Sequence, residues 1–175
     1  DSDYLIFGML STEHSDIVDS YEKRLSKYFD NNVLTMPKFP NEEALKEAEI
    51  AMSEDEVPIG CIIVYEGQII ARTHNQKETL KKATGHAEIL AINQASEYLD
   101  LWHLDGCTMY VTLEPCMMCT GAIMESRIKE TKFLLNRTNV CFKPDSFIKI
   151  QMIDDKKMCD KYLKLIQKFF VNKRY

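Results

Sequence analysis

Four residues in the middle of the sequence are of types that bind metals or move protons. His86 and Glu88 stand two positions apart, and Cys116 and Cys119 form a Cys-x-x-Cys pair directly after Pro115. Two thiolates and one imidazole suit zinc, and three protein ligands leave a fourth position for water. An open position is typical of a catalytic zinc site, where Glu88 would act as the general acid and base. The spacing therefore predicts one Zn2+ per chain, held by His86, Cys116 and Cys119.

Three other interpretations of these residues stay open. The zinc site could be closed and structural, with a fourth ligand from His74, His103, Cys107 or Cys141. The cysteines could be a thioredoxin-like redox pair, although His86 and Glu88 would then have no role. The chain could also be a non-catalytic partner subunit with structural zinc, against which the presence of Glu88 argues.

The predicted elements place these residues where helices begin. Apolar residues three or four apart predict helices, and β-branched runs predict strands. We expect Asn41 to cap the first helix and Glu66-Gly67 to form a tight turn between two strands. The predicted ranges are a helix ending before Val57, strands at 59–65 and 68–73, a helix at 86–99, a strand at 108–113, a helix at 117–127, strands at 131–135 and 147–153, and a helix at 160–171. The last helix should turn Leu163, Ile166, Phe169 and Phe170 inward.

Length and charge predict one catalytic domain with an appendage. The chain has 175 residues, of which 45% are hydrophobic, enough for one core. Residues 1–35 hold seven acidic and three basic residues and include a predicted helix, and Pro37 and Pro40 follow as a boundary. We predict an N-terminal extension of unknown role at 1–35 and the catalytic domain at 36–175. The latter is nearly neutral, which excludes a uniformly basic nucleic-acid binder but permits a local basic patch.

Cysteine use and hydropathy predict an intracellular protein. The six cysteines are spread along the chain, unlike the dense pairs of small secreted scaffolds. The apolar stretch from Tyr4 to Leu10 is too short to span a membrane and lacks the basic flank of a signal peptide. We expect a cytoplasmic protein, with the nucleus as a second location in a eukaryote, and no membrane partner.

Longer motifs surround the four residues. His-x-Glu followed by Pro-Cys-x-x-Cys is the signature of zinc nucleobase deaminases. Further stretches are Glu56 to Gly60, His74-Asn75, Gly85 to Ile89, Tyr110 to Ile123, and Phe169-Phe170 followed by Lys173-Arg174. With these, residues 41–175 closely resemble the tRNA-specific adenosine deaminases, of the bacterial TadA type or the catalytic subunit of the eukaryotic enzyme, in the cytidine/deoxycytidylate deaminase superfamily.

This resemblance implies a fold and an activity. The fold is an α/β, three-layer cytidine-deaminase-like fold, with a mixed central β-sheet of about five strands flanked by helices. The activity is hydrolytic deamination of the wobble adenosine of tRNA to inosine by a zinc-activated water, with Glu88 as the proton shuttle. Asn75, Ala87 and Glu114 would contact the substrate. One departure is that residues 136–145 are shorter than the corresponding family segment and contain no glycine.

The implied partners are the tRNA anticodon loop and a second subunit. Family members usually pair, so the resemblance implies a homodimer or a heterodimer with a related subunit. Lys168, Lys173 and Arg174, at the basic end of the last predicted helix, would bind RNA, and the alternative is an ordinary solvated helix face. A deaminase of a free base or nucleotide, of the guanine, cytosine or dCMP type, would share the same zinc core and stays open.

Overall fold

The structure, a computed structural model, describes residues 40–137 and 148–173. These residues form α1 (Pro40–Ser53), β1 (Gly60–Tyr65), β2 (Gln68–His74), α2 (Lys77–Leu80), α3 (Ala87–Leu99), β3 (Thr108–Leu113), α4 (Met117–Glu125), β4 (Glu130–Leu135), β5 (Lys149–Met152) and α5 (Lys156–Lys173). The helix predicted within residues 1–35 and the predicted domain boundary after residue 35 lie outside the described residues and stay predictions. Most of segment 136–145 lies outside them as well.

The five strands form one mixed sheet in the order β2-β1-β3-β4-β5. β1 is antiparallel to β2 and β3, whereas β3, β4 and β5 are parallel. Because β1 is antiparallel to both neighbours, its second residue, Cys61, pairs with Thr73 near the end of β2 and with Val111 near the end of β3. The segments that follow β2 and β3 therefore both start beside the beginning of β1, at the same end of the sheet's strands.

Helices cover both faces of this sheet. Successive side chains of a strand point to opposite faces, and β4 shows both. Phe133 packs in one core cluster with Ala91 of α3, whereas Leu134 packs in the other with Leu45 of α1 and Tyr162 of α5. Helix α1 contacts α5, and α3 contacts α4. The prediction of a three-layer α/β fold with a mixed sheet of about five strands is confirmed.

The turn between β1 and β2 is the predicted tight hairpin. Glu66 has φ 46° and Gly67 has φ 80°. Positive φ at both central residues gives a turn whose twist matches that of the two strands, and glycine adopts it without steric cost. The hairpin pairs Tyr65 with Gln68, and a register shift between Ile63 and Val64 then moves the pairing by one residue, so that Gly60 lies opposite His74.

Several helix boundaries differ from the prediction. Helix α1 begins at Pro40, so the prediction that Asn41 caps it is wrong, and the fixed φ of proline suits the first turn. Helix α4 ends at Glu125 and not at 127, because Arg127 has a left-handed φ of 60°. Helix α5 begins at Lys156, four residues earlier than predicted. The four-residue α2 is too short for apolar periodicity to reveal.

The inward face of α5 also differs from the prediction. Met158, Tyr162 and Phe169 are buried, whereas Leu163 is 37% exposed and Phe170 is 49% exposed. The prediction that Leu163 and Phe170 turn inward is therefore wrong. Neither α5 nor any other helix in the described ranges is long and apolar enough to cross a bilayer.

Candidate active site

Two helices begin at the site, and the residues that cap them include two predicted metal ligands. His86 is the N-cap residue of α3, and Cys116 is the N-cap residue of α4. Their carbonyl oxygens accept hydrogen bonds from the backbone N–H groups of Leu90 (3.1 Å) and Thr120 (2.8 Å). The N–H groups of a first helical turn have no partner within the helix, and together with the helix dipole they favour negative charge. The start of α4, which carries both cysteines, therefore stabilises thiolates.

A close backbone contact holds His86 in place. The N–H of Gln76 donates to the carbonyl of Gly85 at 2.9 Å. A Cβ atom on Gly85 would lie 3.0 Å from the Gln76 carbonyl oxygen and 3.0 Å from the Lys77 Cα, closer than ordinary contact. Because residue 85 is a glycine, the segment after β2 can lie directly against the backbone that leads into His86.

His86, Cys116 and Cys119 form a group that could hold a metal ion. The two sulfur atoms are 3.5 Å apart. His86 Nδ1 lies 3.7 Å from Cys116 Sγ and 3.5 Å from Cys119 Sγ. A tetrahedral zinc ion, with Zn–S of about 2.3 Å and Zn–N of about 2.0–2.1 Å, would separate its sulfur ligands by about 3.8 Å and sulfur from nitrogen by about 3.6 Å. The distances and the donor set both fit zinc.

The electrostatics of the cysteines favour a bound cation. The pKa of Cys116 is lowered to about 3, because the Cys119 thiol and the His86 ring donate to its sulfur. The pKa of Cys119 is raised, since its own S–H is shared with Cys116 and its sulfur is buried. Two thiolates at this separation repel each other unless a cation lies between them. A metal ion would let both cysteines ionise.

Glu88 is a buried carboxyl group in the first turn of α3. Its side chain is 1% exposed, and Oε2 has no hydrogen-bond partner among the described residues. Burial raises the pKa of Glu88, because the charged form loses its hydration. The charges of Cys116 and His86 also act on the pKa of Glu88, so its carboxyl group lies beside the candidate metal group. A buried, unpaired carboxyl oxygen in that position is suited to binding and releasing protons.

The other candidate metal ligands have different surroundings. His74 lies between Glu47 (3.1 Å) and Glu54 (3.0 Å), and His103 Nδ1 lies 3.1 Å from a carboxylate oxygen of Asp105. Within 40–137 and 148–173, neither histidine nor Cys107 joins the group formed by His86, Cys116 and Cys119. Cys141 lies outside the described residues.

The residues predicted to contact substrate are all near the ends of β2 and β3. Asn75 follows β2 and is 4% exposed, and its amide Nδ2 donates to Glu56 Oε2 at 3.0 Å. Ala87 is the first residue of α3, so its N–H is unused within that helix, and its carbonyl accepts from Thr73 Oγ1 at 2.7 Å. Glu114 follows β3, but its carboxylate accepts the N–H of Arg137 at 3.0 Å and so ties the ends of β3 and β4 together.

The residues predicted to bind RNA have unequal surroundings. Lys168 is exposed on α5. Lys173 donates to Asp55 Oδ2 at 2.7 Å, and its ammonium lies 5.5 Å from the centre of the Phe169 ring. Arg174 lies outside the described residues.

Two features around the site were not predicted from the sequence. Glu56 is 1% exposed, and both of its carboxylate oxygens accept hydrogen bonds. In the sequence, Glu56 is the charged residue that begins the motif from Glu56 to Gly60, and this was the available indication of its role. The second feature is a pair of exposed methionines, since Met117 is 71% exposed and Met118 is 38% exposed. An apolar surface therefore follows Cys116 directly.

Sequence comparison identifies related proteins over most of the chain. A profile of the MafB19-like deaminase family matches residues 41–174. The chain is 47% identical over 100 residues to a tRNA-specific adenosine deaminase of Bacillus subtilis, a match that covers 57% of this chain and 62% of that protein. The chain thus spans less than two thirds of this relative's length.

Two solved structures have similar folds. One comes from a study of A-to-I editing by tRNA:A34 deaminases at the wobble position of transfer RNA. It has a TM-score of 0.63 and 33% identity, and the match covers 69% of this chain and 96% of the other. The second is a guanine deaminase from Nitrosomonas europaea, with a TM-score of 0.68, 20% identity, and coverage of 85% and 92%. At that identity the second likeness concerns the fold alone.

Proposed function

The chain belongs to the MafB19-like deaminase family, and from this premise we propose that it deaminates the wobble adenosine of tRNA. Water would displace the amino group at C6, so that adenosine and water give inosine and ammonia. The observation that carries the proposal is a group of one histidine and two cysteines beside a buried carboxyl, that of Glu88. The B. subtilis relative named above supports the choice of a tRNA adenosine.

His86, Cys116 and Cys119 would hold one zinc ion per chain. When bound, zinc supplies a Lewis acid that makes water a nucleophile at neutral pH. The backbone N–H of Ala87, free at the start of α3, would orient the attacking oxygen. Asn75 would bind the base, and the role of Glu114 would be to support the substrate pocket through its contact with Arg137.

Glu88 would move the protons. Its carboxylate would accept a proton from the attacking water and deliver it to the ring nitrogen N1. It would then accept the proton of the new hydroxyl group at C6 and pass it to the departing amine, which leaves as ammonia. Because burial raises the pKa of Glu88, the group both accepts and releases a proton more readily near neutral pH than an exposed glutamate does. Glu88 lies in the first turn of α3, close to His86 and Cys116, which would bind the zinc ion.

The RNA partner would be an anticodon loop, held by the end of α5. An unpaired loop base enters a pocket with little unstacking cost, and phosphates add binding energy that a free nucleoside lacks. Lys168, Lys173 and Arg174 would contact those phosphates. A cleft of about 430 Å³ lies beside the segment that presents Asn75, and its lining is mixed in charge: Lys81 and Lys173 with Thr79, and the acidic Glu54, Asp55 and Glu78.

We also infer that the chain acts as a homodimer or with a related subunit. Met117 and Met118 form an exposed apolar surface beside Cys116, which a second subunit would cover. Light scattering would give the mass. The predicted cytoplasmic location and the extent of the catalytic domain, residues 36–175, stay predictions.

The decisive experiment offers the protein several substrates. Transcripts of one tRNA with adenosine or guanosine at the wobble position, free adenosine, cytidine, guanine and dCMP would be incubated with the protein and with Glu88→Gln. We expect inosine only in the transcript with adenosine at the wobble position, and only with the unaltered protein, not with Glu88→Gln. Deamination of a free base or nucleotide without any response to tRNA would contradict the proposal and favour a metabolic deaminase.

A further inference from the structure

Glu56 connects two parts of the segment between β2 and the site. Its Oε1 accepts the backbone N–H of Thr79 in α2 at 2.7 Å, and its Oε2 accepts the side-chain amide of Asn75 at 3.0 Å. Glu56 and Asn75 are 1% and 4% exposed. Each oxygen of this buried carboxylate thus has a specific donor.

The charge on Glu56 decides how the Asn75 amide is oriented. An ionised carboxylate only accepts hydrogen bonds, so the Asn75 side chain must turn its NH2 group, and not its oxygen, towards Glu56. Burial alone would raise the pKa of Glu56, but donors from Thr79, Glu78 and Asn75 outweigh burial and lower it. Glu56 is therefore ionised at neutral pH.

The backbone of Asn75 is equally constrained. Its N–H donates to the carbonyl of Ile59 at 2.9 Å, and the next residue, Gln76, bonds to Gly85 beside His86. With its backbone held next to the metal group, the remaining freedom of Asn75 is the rotation of its amide. That rotation exchanges a hydrogen-bond donor for an acceptor at the same place.

We propose that Glu56 is a positioning residue that fixes the donor and acceptor pattern that Asn75 presents to the base. The inference rests on the proposed function in one respect, namely that Asn75 contacts the substrate base. Glu56 acts through Asn75 and touches no reacting atom. Because Glu56 binds one N–H of the Asn75 amide, the Oδ1 atom and the second N–H are the groups left to contact the base.

The substitution Glu56→Gln makes a specific prediction because it keeps the size of the side chain. The Thr79 N–H still needs an acceptor, so the glutamine oxygen must take that position and its NH2 group must face Asn75. Two NH2 groups cannot bond to each other, and the Asn75 amide must rotate by 180°. The base then meets a donor where it met an acceptor. We expect the single-turnover rate at saturating substrate to fall by about 10- to 100-fold, the cost of one mismatched buried hydrogen bond.

A double-mutant cycle tests whether Glu56 acts through Asn75. Glu56→Gln, Asn75→Ala and the double variant would be compared in single-turnover deamination at saturating substrate, with tRNA affinity measured separately. We expect the double variant to be no slower than Asn75→Ala, and the tRNA affinity of Glu56→Gln to be unchanged, because phosphate contacts are intact. Losses that multiply in the double variant, or a Glu56→Gln rate within about threefold of the original, would overturn the proposal.

Two further measurements separate positioning from loss of fold and from failure of the proposed function. Ser126→Ala removes another buried hydrogen bond, from Ser126 Oγ to the Ile123 carbonyl at 3.1 Å, and should leave the rate unchanged. The side-chain amide NMR signal of Asn75, identified with Asn75→Ala, should shift in Glu56→Gln at constant zinc content. An unshifted signal overturns the Glu56 proposal even if tRNA is deaminated. A shifted signal in a protein that deaminates a free base and not tRNA overturns only the proposed substrate, and the cycle is then run on that base.

Discussion

The Sγ atom of Cys119 lies 3.5 Å from Nδ1 of His86, although 33 positions separate the two residues. The separation equals, within about 0.1 Å, that expected across a zinc ion. The two atoms meet because α3 begins directly after His86 and α4 begins just before Cys119. The site therefore depends on the fold and not on a local loop.

Metal analysis should therefore find about one zinc per chain. Cys119→Ala should lose it, because two ligands do not hold zinc tightly in a site built for three. Cys159→Ser is the matched control, since the Cys159 thiol donates to the Leu134 carbonyl at 2.9 Å, outside the group. Full zinc content in Cys119→Ala, or zinc loss in Cys159→Ser, would show that other residues hold the metal.

Glu88→Gln should keep the fold and the zinc but lower the turnover rate by about 10²–10⁴-fold, because glutamine cannot transfer protons. Its melting temperature should not fall, since the substitution removes a buried carboxyl whose ionisation burial already opposes. Glu97→Gln, an exposed site on the same helix, is the control. A Glu88→Gln rate close to that of the control would assign the proton transfer to another group.

The Glu56 contacts should also give stability that depends on pH. The pKa of Glu56 is lower in the folded protein, so its contribution is present above its unfolded pKa and is lost as pH falls through the folded pKa. Denaturant unfolding of the protein and of Glu56→Gln should differ by about 1–3 kcal/mol at pH 7, and the difference should shrink below about pH 4.5. A difference that is constant over this range would mean that the carboxylate charge contributes nothing.

The sequence contained enough information to predict the His-Cys-Cys group and most elements, but not the contacts made between distant segments. His86, Cys116 and Cys119 were found from type and spacing, and the hairpin from Glu66-Gly67. Glu56 and Asn75 are 19 positions apart, and their contact requires the packing of α1, which ends shortly before Glu56, against β1 and β2.

The buried face of α5 is a second feature that could not be predicted from the sequence. Apolar residues occur on both sides of this helix, so periodicity alone did not show that Tyr162 is buried and its neighbour Leu163 exposed. The packing of α5 against α1 and β4 decides it. The start of the helix had a local signal that was missed, because Asp155 Oδ1 accepts the N–H of Met158 at 3.0 Å as a cap does.

The last prediction concerns how the end of α5 binds RNA. Each phosphate contact in a single-stranded region contributes about 0.7 to the slope of log affinity against log salt concentration. Lys168→Ala should lower the magnitude of that slope by about this amount. Lys173→Ala should lower it less, because Asp55 already balances the Lys173 charge at 2.7 Å. Asp55→Asn, which frees Lys173 for phosphate, should tighten tRNA binding at low salt.

The control for these lysines is Lys149→Ala. Lys149 is exposed and pairs in the sheet with Glu130 at the beginning of β4, whereas Cys116 follows the end of the parallel strand β3. Lys149→Ala therefore removes the same charge at the opposite ends of the strands, and tRNA binding should not change. If Lys168→Ala and Asp55→Asn both behave like this control across the salt range, α5 is an ordinary solvated helix face, and the RNA phosphates bind elsewhere on the domain.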